Sequence, residues 1–260
     1  MLTSLQNPFV KQLRKLHRTR DRHNQQIFLI EGTHLLEEAV AVQWPILSVC
    51  CTLKWQDAHA DLWTQISSRV ERAELVSEDV LKAIATTVNP GGVVAVAARS
   101  SNLPLTHRIR AGIAVETVQD PGNLGTIIRT AAAAAVDGLW ISADSVDPDH
   151  PKVLRSSAGQ WFRVPMQVSS DLRSDVQSCK AEGVQIIATL PEASQSYWDI
   201  DFQKPSLLLM GNEGAGLSVE LGNMADIRAR IPSAAGVESI NVAIATALML
   251  YEMLRQRRPQ

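Results

Sequence analysis

Leu207-Leu208-Leu209-Met210-Gly211-Asn212-Glu213-Gly214-Ala215-Gly216-Leu217-Ser218 is an apolar run that breaks directly into a glycine-rich turn with one carboxylate. A continuous apolar run of this kind (Ser206–Met210) reads as a strand covered on both faces, the habit of parallel sheets rather than antiparallel ones. Open parallel sheets bind ligands at the carboxyl ends of their strands. The turn therefore marks a candidate site, where Gly211 permits close approach of backbone to a ligand. A plainer reading is a tight turn whose Glu213 caps the segment that follows.

The same arrangement recurs on either side. Upstream, the predicted strand Ile113–Val118 leads into Gln119-Asp120-Pro121-Gly122-Asn123-Leu124-Gly125-Thr126-Ile127-Ile128-Arg129 and a helix over Gly122–Val136. Helix N-terminal amides favour anions, and an arginine about one turn in can hold a phosphate bidentately. Read blandly, this is a strand-to-helix turn with a surface arginine. Downstream, a strand over Asp226–Ile231 runs into Pro232-Ser233-Ala234-Ala235-Gly236-Val237-Glu238-Ser239-Ile240-Asn241 and a last helix over Ser239–Arg255. Ser239 suits its N-cap. Asn241 stands before a helix apolar on nearly every side, so a buried amide there needs hydrogen-bond partners.

Strand and helix signals alternate along the whole chain, which makes the fold class α/β with a mostly parallel C-terminal sheet. Residues 1–100 form a smaller α/β unit, the Ser/Asn/Pro-bearing stretch 101–110 reads as a linker, and 111–260 form the larger unit. Near the N-terminus, Leu5–Arg22 reads as one amphipathic helix with Lys11, Arg14, Lys15 and Arg18 on one face. His17, Arg20, Arg22 and His23 add further potential positive charge. This is either a solvated helix face or a phosphate-binding patch. The second reading gains weight because the chain as a whole is slightly acidic, with a net charge of -2.

The 260 residues are enough for a well-buried core. The 3 cysteines, Cys50, Cys51 and Cys179, show no metal-ligand spacing and suit a reducing compartment. No stretch reaches the roughly 18 apolar residues of a membrane helix, and the first ten residues hold no signal-peptide core. The expectation is a cytoplasmic protein without a membrane partner.

Together and in this order, the three segments resemble the motifs of the SpoU (TrmH-like) RNA 2′-O-ribose methyltransferases, within the SPOUT class. Asn123, Gly125 and Arg129 match the first motif. Gly211, Glu213, Gly214 and Gly216 match the second. Ile231, Pro232, Gly236, Ser239, Ile240, Asn241 and Val242 match the third. The N-terminal part, with Leu5–Val10, the basic helix and Phe28-Leu29-Ile30-Glu31-Gly32, is similar to the family's L30e-like substrate-binding domain. Ile240 stands where leucine is usual, and Ala243 where many members carry serine.

The resemblance implies a trefoil-knotted SPOUT sheet, a homodimer, and S-adenosyl-L-methionine (AdoMet) as cofactor. It places cofactor contacts at Thr189, Leu190, Gly211, Ile231, Ser239 and Ile240. The catalytic set would be Arg129, Asn123, Glu213, Ser239 and Asn241, with Lys11, Arg14, Lys15 and Arg18 on RNA and no metal. Arginine holds its proton too firmly to be a good base, so Arg129 fits positioning and charge stabilisation better. The expected substrate is ribosomal RNA, with transfer RNA as alternative. Two rival readings stand beside this one. A dinucleotide-binding oxidoreductase would use Gly122, Gly125 and Asp144, although the full glycine fingerprint is missing. A non-catalytic RNA-binding module would use the same scaffold.

Overall fold

The structure, a computed structural model, describes residues 1–99, 105 and 109–258. The stretch 101–110 expected as a linker lies largely outside the described residues. The elements run α1 (Pro8–Lys15), α2 (Thr19–Gln25), β1 (Ile27–Glu31), α3 (Thr33–Ala41), β2 (Ile46–Cys51), α4 (Leu53–Ala58), α5 (Ala60–Ser67), β3 (Arg72–Leu75), α6 (Glu78–Ile84) and β4 (Val93–Ala98). They continue as β5 (Ala111–Val115), α7 (Pro121–Ala133), β6 (Gly138–Ser142), α8 (Pro151–Ser156), β7 (Met166–Ser169), α9 (Leu172–Ala181), β8 (Gln185–Thr189), β9 (Gln195–Ser196), β10 (Ser206–Met210), α10 (Val219–Met224), β11 (Ile227–Arg230) and α11 (Val242–Arg257). Two compact units result: Met1–Ser101 with Asp149–Phe162, and Asn102–Pro148 with Arg163–Gln260.

In the first unit, β4 pairs antiparallel with β1 and β2, and β3 adds parallel to β2. Val10 and Leu13 of α1 and Val80, Leu81 and Ile84 of α6 pack on Leu29, Cys50, Val94 and Val96 of the sheet. The expected single basic helix is in fact two. α1 stops at Lys15, and Arg18 is the N-cap residue of α2. Arg22, read from sequence as surface charge, is fully buried. Its guanidinium donates to the carbonyls of Leu16 and His17, which close α1, and to Asp149 Oδ1 at 2.8 Å. Helix-terminal carbonyls have no intrahelical partner, and Arg22 supplies one from below. Lys11, Arg14, Lys15 and Arg18 are all exposed.

Asp149–Phe162 returns to this unit far along the chain. Asp149 also pairs with Arg99, α8 packs on β1, and the Trp161 ring meets Phe28 at 5.0 Å and Trp44 at 5.1 Å.

The second unit is a seven-stranded sheet in the order β7-β6-β5-β10-β8-β11-β9, with every pairing parallel. β5, β6 and β7 step outward in one direction. β8 then starts on the far side, and β10 enters between β5 and β8. Right-handed crossovers in opposite directions place their helices on opposite faces. Ala114, Trp140, Ile186, Leu207 and Leu209 cluster with Leu172, Val176 and Cys179 of α9 and Leu221 of α10. Alternate strand residues face the other way, where α7 and α11 pack against each other. No described helix is long and apolar enough to cross a membrane.

Candidate active site

β10, β8 and β11 are neighbours in the sheet, and their carboxyl ends open one cleft of about 440 Å³. That volume lies in the range of small-molecule sites, about 300–1,000 Å³. Its walls come from three segments, Thr189–Glu192 at the end of β8, Met210–Leu217 at the end of β10 and residues from Arg230 to Ile240 at the end of β11, and from Val242 and Ala245 in the first turn of α11. Leu190, Ile231 and Ile240 give it apolar surface, while Glu192, Glu213, Glu238 and Arg230 add charge of both signs.

The loop after β10 folds back on itself. Asn212 N–H donates to the Gly216 carbonyl at 2.9 Å, and Gly216 N–H returns to Asn212 at 3.0 Å. A Cβ on Gly211 would stand 2.2 Å from the Gly216 carbonyl carbon and the Leu217 nitrogen, so only glycine fits. Asn212 Oδ1 accepts from Gly214 and Ala215 N–H, both at 2.9 Å.

Glu213 does not cap the helix that follows it. It reaches back to the entry of α7. Oε1 accepts from Asp120 N–H (3.1 Å) and Asn123 Nδ2 (3.0 Å), and Oε2 accepts from Gln119 N–H (3.2 Å). Asn123 Oδ1 in turn accepts from Asn241 Nδ2 at 2.9 Å. Asn241 Oδ1 accepts from Ala243 and Ile244 N–H at 2.9 and 3.3 Å, and so caps α11. The chemistry dictates these orientations. An ionised carboxylate only accepts, so Asn123 must turn its NH₂ to Glu213 and its oxygen to Asn241. Asn241 must then offer its own NH₂, which leaves its oxygen for the helix. Burial pushes the Glu213 carboxyl upward, but the bonds from Asn123 and the backbone amides outweigh it, and the net shift is down. A carboxylate so engaged is a poor proton acceptor and a good clamp.

The profile of the SpoU rRNA Methylase family matches residues 111–251, and that of the MRM3-like substrate binding domain matches residues 7–95. The chain belongs to the SpoU rRNA methylase family. An uncharacterized tRNA/rRNA methyltransferase of Synechocystis is 46% identical, over 98% of this chain and 94% of that protein. The Bacillus subtilis 23S rRNA (guanosine(2553)-2′-O)-methyltransferase RlmP is 34% identical, over 97% and 98%. The crystal structure of an AdoMet-bound rRNA methyltransferase from Sinorhizobium meliloti superposes with a TM-score of 0.89 at 35% identity, covering 99% of this chain and 98% of that one.

In this SpoU methylase the residues expected at the cofactor fall together: Thr189, Leu190, Gly211, Ile231, Ser239 and Ile240 all line the cleft. Glu213 lines it too, and Asn123 and Asn241 join through hydrogen bonds. Arg129 stands apart, exposed on α7, with no hydrogen bond or ion pair to the described residues and outside the cleft wall. Two expectations need correction. The last helix starts at Val242, not Ser239, and its cap is Asn241. Asn241 is exposed rather than buried, though both its amide oxygen and its amide nitrogen are engaged. The oxidoreductase reading also fails on geometry. Gly122 and Gly125 lie inside α7, which starts at Pro121, and not in a phosphate-binding turn. Asp144 accepts from the Ser142 and Thr117 hydroxyls.

Sequence reasoning missed Asn212 and Asp120. The signal for Asp120 was present: Asp followed by Pro is an N-cap with proline at the first helical position, and Asp120 Oδ1 does accept from Asn123 N–H at 2.9 Å.

Proposed function

We propose that this chain is an enzyme that transfers a methyl group from AdoMet to a ribose 2′-hydroxyl in ribosomal RNA. The observation that carries this reading is the meeting of the second and third motifs on one cleft, with the first motif tied to them by the bonds from Asn241 to Asn123 to Glu213. The residues present suit AdoMet. Apolar Leu190, Ile231 and Ile240 match an adenine face, and Arg230 and the three glutamates match a zwitterionic, sulfonium-bearing tail. When bound, AdoMet supplies an electrophilic methyl carbon. The protein's part is to hold the accepting oxygen in line with it and to ease loss of its proton. Glu213, Asn123 and Asn241 fix the α7 entry and the loop after β10 as one block. Arg129, a cation with its donors unengaged by the described residues, suits a ribose–phosphate group, positioning it and stabilising charge on oxygen.

Exposed Lys11, Arg14, Lys15 and Arg18 suit RNA phosphates, which give affinity without choosing sequence. The relatives named as 23S rRNA methyltransferases support ribosomal RNA as substrate. We further propose a homodimer through α11, where Ile244, Leu248 and Tyr251 are 55%, 38% and 53% exposed at helical spacing along one face. The trefoil knot and a cytoplasmic location belong to the same reading. Cys50, Cys51 and Cys179 are free, and burial pushes their thiols up to about 12, 12 and 11, which leaves them inert.

The test is to map 2′-O-methyl groups in total RNA with and without this protein, and to follow label from methyl-labelled AdoMet into ribosomal and transfer RNA fractions. A site lost from ribosomal RNA is the expected result. AdoMet and RNA binding without transfer would leave only a binding module.

A further inference from the structure

Thr117 has no part in the reading above, yet its backbone lies in the left-handed region at φ 55°. A β-branched residue adopts that conformation only under restraint, and such restraint gathers at functional sites. Three hydrogen bonds supply it here. Thr117 N–H donates to Ser142 Oγ (2.8 Å), its hydroxyl donates to Asp144 Oδ2 (2.7 Å), and its carbonyl accepts from Asn212 Nδ2 (2.7 Å). Ser142 Oγ donates to the other Asp144 oxygen at 2.5 Å, so both carboxylate oxygens are engaged. Ser142 ends β6 and Asn212 follows β10, the two strands that flank β5. The chain leaving β5 is thus pinned to both neighbours at one residue. Two positions later, Gln119 and Asp120 present consecutive amides to Glu213.

We propose that Thr117 is a positioning residue for methyl transfer: clamped by Ser142, Asp144 and Asn212, it sets the turn that brings Gln119, Asp120 and the start of α7 to Glu213. The proposal rests on the methyltransferase reading. No residue of α7 or of the turn before it lines the cleft. Asn212 and Glu213 do line it, but the Thr117 hydroxyl meets Asp144, which does not, so loss of that hydroxyl should fall on Asn123 and Arg129 more than on the cofactor's walls and separate turnover from cofactor affinity.

The full-length Thr117→Val protein keeps shape and removes only the donor. We expect kcat for transfer to RNA to fall about tenfold, the net worth of one hydrogen bond, while the AdoMet Kd stays within about twofold. Hydrogen exchange at the Gln119 and Asp120 amides should rise by a similar factor, about tenfold. Thr117→Ser keeps the hydroxyl and should restore both readouts. Unchanged kcat and exchange in Thr117→Val would overturn the proposal. So would a parallel loss of kcat and AdoMet affinity, which marks general loosening of the loops. If the wild-type protein transfers no methyl group, the methyltransferase reading fails, and amide exchange still decides whether Thr117 orders the turn.

Discussion

Glu213 accepts three hydrogen bonds at the entry of α7, and one of them comes from the side-chain amide of Asn123. Because the folded carboxyl sits below its ordinary value, its contribution to stability is present above the unfolded value of about 4.3 and is lost as pH falls through the folded one. Asn123→Asp reverses the sign. Two carboxylates at hydrogen-bond distance cannot both ionise comfortably, so one is pushed up. Its penalty is absent below the unfolded value and grows as pH rises through the raised one. The variant should be less stable than wild type by about 1 kcal/mol at neutral pH, a modest figure because the pair is exposed. The gap should close toward pH 4, as read by denaturant unfolding at several pH values; a gap independent of pH would mean the bond is not made in solution. Arg129→Ala removes a cation outside the cleft wall. Transfer should fall by at least about 100-fold with AdoMet binding retained, and near-normal turnover would take arginine out of the mechanism. At this scale much was legible. Asn123, Glu213 and Asn241 stood out because glycine-rich turns at strand ends bracket them. Thr117 was not legible, because nothing local in Val-Glu-Thr-Val requires a positive φ and its three partners come from 25 to 95 positions away.

Among elements, α11 shows how one residue can serve two ends. Asn241 caps the helix through its oxygen and holds Asn123 through its nitrogen. Asn241→Ala should cost about 1 kcal/mol for the cap alone, and should lower transfer as well because Asn123 loses its support. Ser239→Ala should leave the unfolding midpoint within about 0.5 kcal/mol of wild type, since Ser239 caps nothing. Equal destabilisation by both would return the cap to Ser239. The pattern Ser-Ile-Asn-Val permitted either cap, because both side chains are good acceptors, and only tertiary placement of Asn123 decides between them. The basic helix was misread for a related reason. Periodicity favoured one element from Leu5 to Arg22, whereas Arg22 turns inward to an acid encoded far downstream and ends the helix early. Strand β10 and its turn, by contrast, were plain from the apolar run alone.

For the molecule as a whole, parallel α/β character followed from alternation, but strand order did not. Entry of β10 between β5 and β8 leaves no trace in composition. The proposed dimer is testable here. Leu248→Glu places a charge in the exposed stripe of α11, and should convert a dimer mass to a monomer mass in light scattering without changing the far-UV circular dichroism. A wild-type monomer that is fully active would exclude the dimer from the mechanism.

The return of Asp149–Phe162 to the first unit has a consequence in time. Arg22 and Asp149 are 127 positions apart. Ribosomes add about 5–20 residues per second, so roughly 6–25 s pass between making the base and making the acid. Until then, β1 also lacks the cover of α8 and the Trp161 ring. The N-terminal unit is translated first, yet it cannot be finished until the opening strands of the second unit have already left the ribosome.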